Sequence, residues 1–162
     1  MSPTERLELI RPGLTGKIWA DLGAGSGAFT LVLLELLGEG AQVYAVDKNL
    51  RTPKHPQLHT LWGDFTQPLK LPLLDGILMA NSLHYVKDKA PFIRQLSTYL
   101  KSNGHLLVVE YENRKPNPWV PFPIAFAGLE AVAREVGFST RKIASTPSDF
   151  GGEVYAALLS RP

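Results

Sequence analysis

The sequence predicts an α/β fold: a doubly wound, mostly parallel sheet covered by helices. Three observations predict it. Short apolar runs that read as buried strands alternate with amphipathic stretches of helical period. The first of these runs ends in a cluster of glycines just before a helix. From Lys17 onward the order strand, helix, strand recurs, which calls for parallel strands joined by crossovers. The 162 residues suit one domain over 1–162, long enough to bury a core.

Each element follows from its pattern. Residues 17–22 read as a buried strand. Phe29, Val32, Leu33, Leu36 and Leu37 then mark one face of a helix, stopped by Gly38 and Gly40. Residues 41–46 form the second strand, 58–62 a weaker third and 75–80 a fourth. Asp88 is placed to cap a helix with the apolar face Phe92, Ile93, Leu96 and Leu100, which Asn103-Gly104 ends. Residues 105–110 are the fifth strand. A helix over 124–136 presents Leu129, Val132, Ala133 and Val136 and stops at Gly137, and strands over 139–144 and 154–160 close the chain. Prolines at 53, 56, 68 and 72 leave little room for helices after the second and third strands. The third strand is therefore expected to be a thinly covered edge, where a homodimer contact would protect it; monomer and homodimer both stay open. Residues 1–16, with Leu7, Leu9, Ile10 and Leu14, are expected to form a short lid segment.

Composition narrows the class. Apolar residues make up 44% and charged ones 20%, ordinary for a globular protein. No apolar run approaches the ~20 residues of a membrane span, and the first residues lack the pattern of a signal peptide. With no cysteine there is no disulfide framework or thiolate site, and no metal is expected. These features point to the cytoplasm and to no membrane partner. A net charge of +2 gives no indication of nucleic acid.

The glycine loop carries the chemistry. In Asp21-Leu22-Gly23-Ala24-Gly25-Ser26-Gly27 the third glycine comes one position earlier than in the dinucleotide fingerprint G-x-G-x-x-G. Asp21 precedes the set by two residues; a carboxylate there repels a pyrophosphate and pairs with an ammonium. Asp47 ends the second strand, where an acidic side chain accepts hydrogen bonds from ribose hydroxyls. Asp64, in Gly63-Asp64-Phe65, ends the third, where a carboxylate can accept from an adenine amine beside the apolar wall of Phe65.

With these residues the sequence resembles the class I, Rossmann-like S-adenosylmethionine-dependent methyltransferases over roughly residues 15–162. The glycine loop, Asp47 and Gly63-Asp64-Phe65 carry the resemblance. Asn81-Ser82-Leu83-His84-Tyr85-Val86 resembles the segment that borders cofactor and acceptor, and 100–106 the junction into strand five. The resemblance implies a seven-stranded sheet of order 3-2-1-4-5-7-6 with strand seven antiparallel. It implies S-adenosyl-L-methionine as cofactor, held by Asp21, Gly23, Ala24, Gly25, Gly27, Asp47, Lys48, Gly63, Asp64, Phe65 and Asn81. Methyl transfer by in-line displacement to a small-molecule acceptor is the expected activity.

Displacement at a methyl group needs position above all, and a base only when the nucleophile must lose a proton. His84 is the candidate base, since an imidazole titrates near neutrality, and Tyr85 shares its place as a candidate catalytic residue. Glu110 faces either the acceptor or a basic neighbour in a solvated ion pair. Tyr111, Trp119 and Phe122 are candidate acceptor walls, the last two on a proline-stiffened segment, 113–123. Two other readings stay open: a non-catalytic cofactor-binding module or partner subunit, and a nicotinamide-dependent oxidoreductase, which the glycine spacing and Asp21 disfavour.

Overall fold

The computed structural model describes residues 1–162 and contains α1 (Pro3–Ile10), β1 (Ile18–Leu22), α2 (Ala28–Leu37), β2 (Gln42–Asp47), β3 (Leu58–Trp62) and β4 (Leu74–Ala80), followed by α3 (Lys89–Ser97), β5 (Leu100–Tyr111), α4 (Phe126–Glu135), β6 (Ser139–Pro147) and β7 (Glu153–Ser160). The strands form one sheet in the order β3-β2-β1-β4-β5-β7-β6. Strands β1 to β5 pair in parallel, and β7 runs antiparallel to both β5 and β6. This is the order and polarity that the resemblance implies.

Helices cover both faces, and each face has its own apolar layer. On one, Leu9 and Ile10 of α1 and Val32, Leu33 and Leu37 of α2 pack on Trp19, Val43, Leu78 and Leu107. On the other, Phe92, Ile93 and Leu96 of α3 and Leu129 and Ala133 of α4 pack on Ala20, Ile77, Met79, Leu106 and Val108. Gly76 lets the Trp19 ring lie on β4: a Cβ there would sit 2.3 Å from the indole. The segments between β2 and β3 and between β3 and β4 hold no helix, as their prolines predict. Strand β3 is correspondingly the least buried of the parallel strands, with Trp62 largely exposed.

Three expectations about elements are corrected. Helix α3 stops at Ser97, and β5 already begins at Leu100, paired with Leu74. Leu100 therefore belongs to the strand, and Asn103-Gly104 lies at a register shift inside it. Gly104 serves close approach: a Cβ there would meet the Leu74 carbonyl at 2.9 Å. Asp88 takes the N-cap position of α3, but its side chain makes no capping bond. The segment expected as a lid is a docked helix. Ser2 and Glu5 close a capping box at its start, and Leu9 and Ile10 are fully buried at its end.

Candidate active site

The carboxyl ends of β1, β2 and β4 open into one cleft, and the backbone of the glycine loop shapes it. Gly23 leaves β1 with φ +81, and a Cβ there would sit 2.6 Å from Cβ of Ser82; only glycine fits both constraints. Its N–H and that of Ala24 donate to the Val46 carbonyl at 2.7 and 3.2 Å. Gly25 N–H donates to Oδ2 of Asp47 at 2.8 Å, and Asn49 N–H to its Oδ1 at 3.0 Å. Asp47 thus ties the first loop to the second. Gly27 opens α2 in a left-handed conformation and packs on Thr52 and Pro53. Its place is beneath the loop, and neither it nor Gly63 lines the cleft.

The main cleft, about 720 Å³, is lined by Gly23, Gly25, Asp47, Lys48, Asn49, Arg51, Asp64, Phe65, Thr66, Asn81, Ser82 and Tyr85. A second lobe of about 310 Å³ shares Gly23, Gly25 and Asn81 with it and is lined also by Arg6, Asp21, Ala24, Ser26 and Phe29. The three acids singled out by sequence therefore border two adjoining pockets that share Gly23, Gly25 and Asn81, Asp47 and Asp64 in the larger and Asp21 in the smaller. Asp64 accepts from the N–H and the hydroxyl of Thr66 at 2.9 and 2.6 Å and pairs with Lys48 at 3.4 Å. Those bonds, first the one from the Thr66 side chain, hold its carboxyl below the usual range. Asp21 is the opposite case. Burial pushes its pKa up to about 6, although a 2.7 Å hydrogen bond from the Thr30 hydroxyl opposes the shift.

The pocket suits an adenosyl amino acid by the chemistry of its donors and acceptors. Asn81 has φ 55, rare for a residue other than glycine, and its buried Oδ1 has no partner in the protein. An unmet acceptor and a buried carboxylate in one lobe fit an ammonium. Asp47 and Asp64 in the wider lobe provide acceptors beside the Phe65 ring, as a nucleoside requires.

Next to the cleft, the chain after β4 turns through a short 3-10 segment, Leu83–Tyr85. The His84 ring is buried, with Nδ1 at 3.0 Å from Oε2 of Glu110; the His84 N–H donates to Oε1 at 3.0 Å. Glu110 has no solvent exposure, which corrects both readings made for it: it neither faces the cleft nor forms a solvated pair. Instead it fixes the imidazole. Sequence gave no sign of this pairing, because 26 residues separate the partners and only the β4–β5 pairing brings them together. Tyr85 is half exposed and lines the cleft, its ring 4.6 Å from the imidazole, and the Tyr111 ring lies nearly parallel to the imidazole at 6.1 Å. Burial raises the Tyr111 pKa.

The proline-rich segment is fastened in place. Phe122 N–H donates to the His84 carbonyl at 2.9 Å, and the Lys89 ammonium donates to the carbonyls of Val86 and Phe122 at 2.7 and 2.8 Å. Burial holds the Lys89 pKa below the ordinary lysine range. Phe122 is partly covered, while Trp119 projects into solvent with 75% exposure. Phe150, in the β6–β7 turn, is 70% exposed and carries the Arg114 guanidinium, 4.6 Å from its ring centre. Lys89, Thr30, Arg6 and Phe150 were not foreseen, and no local sequence signal distinguishes them from ordinary surface or packing residues.

A family model described as a methyltransferase domain matches residues 3–136. Among characterised relatives, the ribosomal RNA large subunit methyltransferase E of Alkalilimnicola ehrlichii is 38% identical over 88 residues, covering 54% of this chain and 40% of the relative. The enzyme of the same name from Chromobacterium violaceum is 27% identical over 133 residues, 70% of this chain and 63% of the relative. The chain thus spans about half the length of these two relatives. Among solved structures, the 1,6-didemethyltoxoflavin-N1-methyltransferase of Burkholderia thailandensis, with bound S-adenosylhomocysteine, superposes with a TM-score of 0.75 at 16% identity, over 99% of this chain and 78% of that one. The relatives overturn one expectation. Both are named for ribosomal RNA, which corrects the reading of a small-molecule acceptor with no nucleic acid indicated. The net charge averages over the whole chain and is silent on local charge; Lys48, Arg51, Arg114 and Lys115 all follow the carboxyl ends of β2 and β5.

Proposed function

The chain belongs to the methyltransferase domain family, with S-adenosylmethionine as cofactor, and from that premise we propose that it methylates RNA. The observation that carries this reading is the pair of relatives named for ribosomal RNA. Exposed aromatic and basic side chains support it. Tyr85 lines the cleft, and Tyr85 and Trp119 expose aromatic surface on which unstacked bases can lie, while Arg114 and Lys115 on the segment after β5 offer charge to the phosphates.

When bound, S-adenosylmethionine supplies an electrophilic methyl group on a sulfonium. The chain's own residues do the rest. Asp47, Asp64 and Phe65 would hold the nucleoside part; Asp21 and Asn81 would hold the ammonium. Glu110 engages Nδ1 of His84, so Nε2 is the ring nitrogen left to take a proton from the acceptor as its oxygen or nitrogen attacks. Tyr85 and Tyr111 pack against the imidazole and would limit where the acceptor sits.

The test is transfer of tritiated methyl groups from S-adenosylmethionine to large-subunit ribosomal RNA, both as naked transcript and within the subunit. Ribonuclease-sensitive label that drops by about 10²- to 10⁴-fold in His84→Ala, with cofactor affinity retained, is the expected result. Absence of label from every RNA form, in protein that binds S-adenosylhomocysteine, would reject the RNA acceptor. Full activity of His84→Ala would reject the base.

A further inference from the structure

The smaller lobe of the cleft is lined by two side chains of opposite charge and by Met1, whose ammonium is already paired with Asp149. Asp21 lies at the end of β1, and Arg6 reaches in from α1. Nothing in the protein neutralises the arginine there. One guanidinium nitrogen, Nη1, donates to the Met1 carbonyl at 2.6 Å, while Nε is buried and has no partner. A buried N–H of a cation without an acceptor is costly, and such groups in native proteins usually await a ligand or water.

The head group of an amino acid is a zwitterion. Its ammonium needs acceptors and its carboxylate needs donors, close together. Asp21 and the unpartnered Oδ1 of Asn81 provide the first, and Arg6 is the cationic donor of the same lobe. We propose that Arg6 binds the carboxylate of the cofactor's amino-acid end, so that α1 forms one wall of the cofactor site. A guanidinium suits the task because its fork of N–H groups matches a carboxylate. The docking of α1 then acquires a purpose: the buried Leu9 and Ile10 hold the helix on the fold, and its first turn places Arg6 at the lobe. The assignment does not depend on which acceptor is methylated.

The experiment is calorimetry with two ligands. S-adenosylhomocysteine carries the amino-acid end; 5′-methylthioadenosine has the same nucleoside and thioether without it. Arg6→Met keeps much of the aliphatic stem and removes the charge. It is expected to weaken S-adenosylhomocysteine by about 10- to 100-fold, the scale of a charged hydrogen bond, and to leave methylthioadenosine within about twofold. Arg6→Lys, with charge but no fork, is expected to fall between. Methylthioadenosine binding doubles as the control for folding, and if Arg6→Met does not fold, Arg6→Lys carries the comparison. Equal losses for both ligands, or unchanged affinity for S-adenosylhomocysteine, would overturn the proposal. So would a wild-type protein that binds neither ligand. RNA that stays unmethylated would leave it standing.

Discussion

At the scale of single residues, the site is built on buried ionisable groups whose fixed partners set their roles. Asp21 shows the cost. Its carboxyl titrates near 6 in the folded chain, against 3.8 ordinarily. The folded state therefore holds a proton that the unfolded chain has lost between those values. The favourable contribution is complete below about pH 4 and disappears as pH rises through 6. At neutral pH the buried carboxylate destabilises the empty protein by up to about 3 kcal/mol. Asp21→Asn keeps an oxygen for the Thr30 hydroxyl and removes the charge. It is expected to raise unfolding free energy in urea by about 1–3 kcal/mol at pH 7.5 and to change it little at pH 4; equal effects at the two pH values would contradict the burial argument. Ligand binding should show the converse. An ammonium favours the ionised carboxyl, so affinity for S-adenosylhomocysteine is expected to fall as pH drops below 6, approaching about tenfold per unit, and a flat profile between pH 5 and 8 would remove Asp21 from the ammonium site. Glu110 acts through His84. Glu110→Gln preserves shape and one acceptor but can no longer accept from both the imidazole Nδ1 and the His84 N–H. It is expected to lower kcat by about 10-fold or more, while KM for the cofactor stays fixed. An unchanged kcat would reduce Glu110 to a packing role.

At the scale of elements, strands and helices were legible where their apolar period was uninterrupted, and illegible where contacts between distant segments decided the outcome. The β1 run, the α2 stripe and the glycine loop could be read because each is local. The end of α3 could not: Leu100 fits both a helical stripe and a strand, and its pairing with Leu74 decides for the strand. Gly104 misled for the same reason, since a close approach to the Leu74 carbonyl looks in sequence like a helix stop. The three acids were visible because each ends or nearly ends a strand, whereas the partners Thr30, Glu110 and Lys89 depend on how the elements pack. Gly76 makes the point testable. Its lack of a side chain admits the fully buried Trp19 ring between β4 and the α1–α2 layer. Gly76→Ala is expected to cost at least about 2 kcal/mol in urea unfolding, because neither the indole nor the central strand has room to move. A cost near zero would mean that the ring can leave its place without consequence.

At the scale of the whole molecule, the functional groups all lie at one end of the sheet, and the net charge hides their polarity. The acids line the cleft, while Arg114 and Lys115 lie on the segment after β5. A total of +2 gives little long-range attraction, so the proposed RNA acceptor would be held by a few local phosphate contacts. That makes salt dependence a measure of the interface. If Arg114 and Lys115 each neutralise one phosphate, removing both reduces the slope of log K against log salt by about 1.5. Arg114 also stacks on Tyr111 and Phe150, so its removal alone is expected to cost more affinity at high salt than removal of Lys115, through the lost stacking surface. The double variant Arg114→Ala, Lys115→Ala should bind S-adenosylhomocysteine as the wild type does, because neither side chain lines the cofactor cleft. Fluorescence anisotropy of a labelled ribosomal RNA fragment, titrated from low to physiological salt, reads both quantities. An unchanged slope with reduced methylation would mean that these cations act on the acceptor's position and not on its phosphates. An unchanged slope with unchanged methylation would move the RNA path to another face of the molecule.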